Sequence, residues 1–169
     1  MKNIKIEEAF AKEISLLWSS EKVLLRALPE MIAQAVDFGL KTSLALHLAE
    51  TEQQKTALEF ILKQMEHVPT DETATELNAM ITSGNQKISE EKAGKARDMA
   101  IVGVAKEVER YEISGYTAAA AHAEQLGLKL VAKRLYAIRL EEQQAEGKLN
   151  FLAKNIIGAN SQIGAQSNL

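Results

Sequence analysis

Apolar residues recur at alternating three- and four-residue spacing along almost the whole chain, and β-branched residues nowhere cluster into alternating strands. The pattern predicts an all-α protein. A first helix from about Ile4 to about Asp37 turns Phe10, Ile14, Leu17, Leu24 and Leu28 inward, with Glu21 in the same stripe. Pro29 lies inside this helix and is expected to bend it near Arg26. Phe38-Gly39 reads as the turn, with Gly39 just past the helix end. A second helix, about Leu40 to His67, presents Leu44, His47, Glu50 or Thr51, Gln54, Leu58, Ile61 and Met65. The polar stretch from Thr70 to about Lys95 predicts a short helix opened by Thr70 or Asp71 and broken at Ser83-Gly84-Asn85.

A third helix runs from about Ala93 to Leu126 and is closed by Gly127. Gly103, Gly115 and Ala118 to Ala121 thin one side of it, which points to close helix approach. A fourth, Leu128 to about Ile157, lines up Val131, Leu135, Ile138, Glu142, Ala145 or Glu146, Leu149, Leu152 and Ile156. Residues 158–169 hold little but Gly, Asn, Ser and Gln and are expected to form a flexible tail beyond a bundle of residues 1–157. Two tight connections and one long one make two antiparallel hairpins joined by a crossover with a short extra helix. That is the connectivity of a ferritin-like four-helix bundle.

Composition narrows the function classes. A chain of 169 residues suits one domain with a proper core. The absence of cysteine excludes disulfides, thiolate metal sites and cysteine nucleophiles. A net charge of -3 argues neither for nor against acidic partners, and no basic run or arm suggests a nucleic-acid partner. No apolar window approaches the roughly 18 residues that span a bilayer, and the N-terminus lacks the apolar stretch of a signal peptide. The expectation is a soluble cytoplasmic protein with no membrane partner.

The third helix carries the chemistry. Its inward positions run Val102, Ala105, Glu109, Glu112, Tyr116, Ala119 and Ala123, so two carboxylates and a tyrosine stand where leucines belong. A bare buried carboxylate is costly, and a metal ion is the first candidate to compensate it. The two hairpins also superpose. Glu21 matches Glu112 at a separation of 91 positions, while Glu50 and Gln54 match Glu142 and Glu146 at 92. Glu112 and Glu142 each lie about 15 residues from the second turn, so at about 1.5 Å per residue they sit level. Inward carboxylates from four helices at one depth describe a mono- or dinuclear carboxylate site.

The runs Trp18-Ser-Ser-Glu-Lys22, Arg26-Ala-Leu-Pro-Glu-Met31, His47-Leu-Ala-Glu-Thr-Glu52, Val108-Glu-Arg-Tyr-Glu-Ile113 and Leu140-Glu-Glu-Gln143 resemble the bacterial YciE/YciF stress-response family up to about residue 155. The resemblance implies a ferritin-like fold, a homodimer and a metal site, with no established reaction. The family pattern commonly has His where Arg110 stands, and some relatives carry His at Gln54. Both departures weigh against transferring redox chemistry.

Glu21, Glu50, Glu109, Glu112, Glu142 and Glu146 are thus the candidate metal ligands. Gln54, His47 and Tyr116 are read as groups behind them, orienting a carboxylate by hydrogen bonding. All-oxygen ligation favours iron or manganese, then zinc, with one or two ions per chain. Oxygen or peroxide chemistry is the enzymatic reading. The alternative is a homodimeric structural bundle with a vestigial or purely structural metal site. His67 and His122 receive no role, the latter because no acidic residue lies at useful spacing.

Overall fold

The structure is a computed structural model that describes residues 2–163, with side chains described for 5–158. Among the described residues it contains helices α1 (Lys2–Gln34), α2 (Phe38–Gln64), α3 (Thr75–Glu90), α4 (Lys95–Gln125) and α5 (Lys129–Ile163), and no strand. α1 packs on α2 and α4 on α5 as hairpins, and the pairs meet through α1 on α4 and α2 on α5. His122 near the end of α4 meets Glu13 near the start of α1, so those two helices are antiparallel. Gly39 at the start of α2 lies against Leu152 late in α5, which makes that pair antiparallel as well. This is the ferritin-like arrangement, with α3 carried on the long crossover. No described helix is long and apolar enough to cross a membrane.

The connections differ from the sequence reading in instructive ways. α1 runs through Pro29 without interruption and stops at Gln34, three residues early. Asp37 caps α2, its side chain accepting from the Leu40 N–H at 2.8 Å. Gly39 is therefore inside a helix and serves packing, since a Cβ there would come within 3.0 Å of Leu152. The turn between α4 and α5 is the expected one. Gly127 has φ +76, the Leu128 N–H donates to the Ala123 carbonyl, and the Gly127 N–H donates to that of Glu124. That is the Schellman pattern.

The crossover departs most. Residues 70–74 are not helical, and Thr70 and Glu72 instead donate backbone N–H groups to Ser15 and Ser19 of α1. Gly84 does not break α3 but lies within it, where a Cβ would meet Val104 of α4 at 2.5 Å. The break falls at residues 91–94, with Gly94 at φ +117. The thin side of α4 is used in part. Gly115 lies against Leu17, whereas Gly103 has nothing near it among the described residues. α5 continues to Ile163 instead of ending near Ile157, and residues 164–169, part of the expected tail, lie outside the described residues.

The core is divided. One apolar cluster gathers Leu24, Leu28, Leu44, Ile101, Val108 and Leu149, with Leu77 and Ile88 of α3 packed on it. The other gathers Phe10, Ile14, Leu17, Leu58, Tyr116, Leu135 and Ile138. Each fully buried Leu or Ile contributes about 1.5–3 kcal/mol. Between the clusters every helix of the bundle interrupts its apolar stripe.

Candidate metal centre

The interruption is one polar layer. Glu21 follows Leu17 and precedes Leu24 on α1, and His47, Thr51 and Gln54 lie between Leu44 and Leu58 on α2. Glu109 and Glu112 lie between Val108 and Tyr116 on α4, and Glu142 between Ile138 and Leu149 on α5. All seven side chains are buried, with Glu21, Thr51, Gln54 and Glu142 at 0 % exposure. Helical periodicity puts them there, because each keeps the spacing of the leucines on either side.

One donor atom from each of His47, Glu109, Glu112 and Glu142 lies within 4.8 Å of the other three. Imidazole Nε2 stands 3.5 Å from Glu109 and 3.7 Å from Glu112, and Nδ1 stands 3.7 Å from Glu142 and 4.0 Å from Glu50. None of these contacts is a hydrogen bond. Both ring nitrogens, both oxygens of Glu112 and one oxygen each of Glu109, Glu142 and Glu21 are buried without a partner. Native interiors rarely leave such groups unpaired. Metal–nitrogen and metal–oxygen bonds of about 2.0–2.2 Å would draw donors on opposite sides of an ion to roughly 4 Å apart, so the spacing suits one.

Electrostatics agrees with the geometry. Burial first, then the neighbouring charges of Glu21, Glu142 and Glu109, pushes Glu112 well above the ordinary carboxylate range. Burial and Glu142 push Glu109 up to about 10, and burial pushes Glu142 up to about 7 against the stabilising Glu109 and Gln54 contacts. Burial also pushes Glu21 well above its usual range, although Tyr116 works the other way. His47 is brought down to about 4 by burial and by the charge of Lys148, so it is neutral and able to offer a lone pair.

The remaining candidates fall elsewhere. Tyr116, fully buried, donates its hydroxyl to Glu21 Oε1, which leaves Oε2 free. The Gln54 amide donates to Glu142 and, at 3.1 Å, to Glu141 Oε2. Glu50 reaches the layer only at its edge, its side chain 26 % exposed, because Thr51 takes the inward position and bonds back to the His47 carbonyl. Glu146 does not join the group. Ala145 faces inward instead, and Glu146 pairs with Arg110 at 2.8 Å.

His47, expected behind the ligands, stands among the four converging donors. Its signal was its place on the α2 stripe, one turn from Thr51 and level with Glu109. His122 does have an acidic partner, Glu13 at 2.8 Å, brought in from another helix.

The sequence profile of a domain of unknown function, DUF892, matches residues 5–162. The protein YciF of Escherichia coli (strain K12) is 29% identical over 158 residues, covering 93% of this chain and 95% of YciF. The crystal structure of the E. coli stress protein YciF superposes with a TM-score of 0.85 at 30% identity, over 90% of this chain and 97% of that one. YcfI from Rhodopseudomonas palustris gives 0.83 at 30% identity, over 86% and 92%. A protein from Xanthomonas campestris pv. campestris gives 0.73 at 19% identity, over 95% and 99%, a likeness of fold alone.

Proposed function

The chain belongs to the DUF892 family, and on that premise we propose that it is a metal-binding protein whose polar layer holds one or two divalent cations. The observation that carries this reading is the convergence of four buried donors, His47, Glu109, Glu112 and Glu142, each with at least one polar atom left without a partner. Charge supports it. Fully ionised, Glu21, Glu109, Glu112 and Glu142 carry four negative charges in a region closed by two apolar clusters. One divalent ion halves that charge and two remove it, whereas an empty layer forces most of the carboxyls to keep their protons.

The first ion is assigned to the four converging donors, and Glu21, whose free oxygen faces the same layer, serves a second. One imidazole among carboxylates suits iron or manganese, then zinc. A redox-active ion held here would supply oxygen or peroxide chemistry. The protein's own part is positional. Tyr116 holds Glu21 by one oxygen and favours its charged form against burial, Gln54 fixes Glu142, and Leu17, Leu24, Leu44 and Leu58 exclude water above and below.

Elemental analysis of protein purified without chelator tests the reading. One or two transition-metal ions per chain are expected, with Glu112→Leu carrying none. Wild-type protein that holds no ion, even after incubation with iron(II), manganese(II) or zinc, overturns it.

A further inference from the structure

We propose that cations reach the buried layer through the seam between α2 and α5, with Glu50 and Glu141 as the outer pair that receives them. This inference rests on the metal-binding reading and names the route to that site.

Glu50 and Glu141 are the only carboxylates in direct contact with the layer that also meet solvent among the described residues. Their side chains are 26 % and 36 % exposed, while Glu21, Glu109, Glu112 and Glu142 are each at 2 % or less. Glu50 Oε2 lies 4.0 Å from His47 Nδ1, and that same nitrogen lies 3.7 Å from Glu142 Oε2. Glu141 Oε2 accepts from the Gln54 amide at 3.1 Å, and the same amide donates to Glu142 Oε1. Two short paths therefore lead from water to Glu142, each through one polar side chain.

The inner members are built for a ligand and not only for each other. His47 is 4 % exposed with both ring nitrogens unpartnered, and Gln54 is fully buried with its Oε1 unpartnered. A hydrated dication needs such a sequence of oxygen and nitrogen donors to shed its water in steps. Positive groups border the mouth, Arg134 standing 4.0 Å from Glu141, so the outer carboxylates act against a nearby cation. Clefts lined by one charge sign raise association rates by about 10- to 1,000-fold, and with Arg134 beside Glu141 the gain at this mixed mouth is set at the low end of that range.

The experiment follows uptake of cobalt(II), added alone to metal-free full-length protein, by its visible absorbance in a stopped-flow instrument. Final cobalt content is read by elemental analysis. Replacing Glu50 and Glu141 together (E50Q/E141Q) is expected to slow uptake about tenfold while the final content stays at the wild-type value. Either single replacement is expected to slow it part-way. Glu107→Gln, on the opposite side of the bundle, is expected to leave the rate unchanged. The proposal is overturned if the double variant fills at the wild-type rate. It is overturned equally if the double variant ends with less cobalt, since Glu50 or Glu141 would then be a ligand and not an entrance. Wild-type protein that takes up no cobalt would defeat the metal-binding reading itself, a result distinct from either.

Discussion

The two hairpins share a register but not a role. Their buried stripes superpose at a separation of 91 positions throughout, pairing Leu17 with Val108, Glu21 with Glu112, Leu44 with Leu135, His47 with Ile138, Thr51 with Glu142 and Gln54 with Ala145. Only Glu21 and Glu112 put carboxylates at both equivalent places. The second hairpin supplies three of the four converging donors as Glu109, Glu112 and Glu142, while the first supplies the sole imidazole and the amide and hydroxyl groups around it. Duplicated helical geometry therefore fixes depth and facing, and single substitutions on that frame decide which half carries charge.

The largest effect that would break this asymmetry comes from the second hairpin. Glu112→Leu is expected to abolish stoichiometric metal binding and remove the roughly 3–4 kcal/mol that a cation at 100 to 1,000 times its Kd contributes to the loaded protein. The same variant without metal should be about 1–3 kcal/mol more stable than metal-free wild type, because an unpaired buried carboxylate has gone. Paired denaturant curves with and without metal check both signs. A metal-free variant that loses stability would mean that Glu112 is satisfied by the protein alone.

His47→Leu removes the first hairpin's contribution. Affinity should fall at least about 100-fold, since even the partners standing behind a ligand are worth 10- to 100-fold. Competition titration against a chelator of known affinity measures it. A fall under fivefold would leave the site to the second hairpin alone.

Chelator-treated protein should also respond to pH. Glu109, at about 10, and Glu142, at about 7, keep protons in the metal-free fold where the unfolded chain has lost them. With folded pKa above unfolded, that stability is complete below the ordinary carboxylate range and drains away as pH rises. His47 works in the opposite sense, but only below its ordinary value of 6.5. The Tm of metal-free protein should therefore decline from about pH 6.5 to about pH 9, and that of loaded protein should not. Thermal scans at constant ionic strength decide it.

Smaller effects sharpen the picture. Gln54→Leu should weaken binding about tenfold by freeing Glu142 to rotate. Glu146→Gln should leave metal content unaltered and stability within about 0.5 kcal/mol, because its pairing with Arg110 is a surface contact.

Much of this was legible from periodicity. The helices, the Gly127 turn and the inward placement of Glu21, Glu109, Glu112 and Glu142 follow from spacing alone, because each sits in phase with leucines that must be buried. The helix at residues 75–90 was misread because Gly84 looks like a breaker in one dimension, and its need to clear Val104 exists only in three. A mismatch of one position between hairpins put Glu50 and Glu146 on the inward stripe. Counting from buried leucines instead of from acids puts Thr51 and Ala145 inward. His47 stands in phase with the buried leucines of α2, a signal of the same kind as that of the four acids, whereas Glu141 is out of phase with the core and carries none.

Asp98 binds no ion, yet it determines whether the layer can. It is buried and accepts the backbone N–H groups of Val36 and Asp37 at 2.7 and 2.9 Å, and Asp37 in turn anchors Leu40. The first turns of α2 and α4 are thereby fastened at a common origin, and the two helices run the same way across the diagonal of the bundle. His47 and Glu109 lie some ten and eleven residues further along, about 15 Å below the clasp. Slippage of either helix by a single residue would move its donor about 1.5 Å, enough to take the imidazole away from the acids it faces. The bundle's upper rim thus works as a vernier for chemistry carried out near its waist.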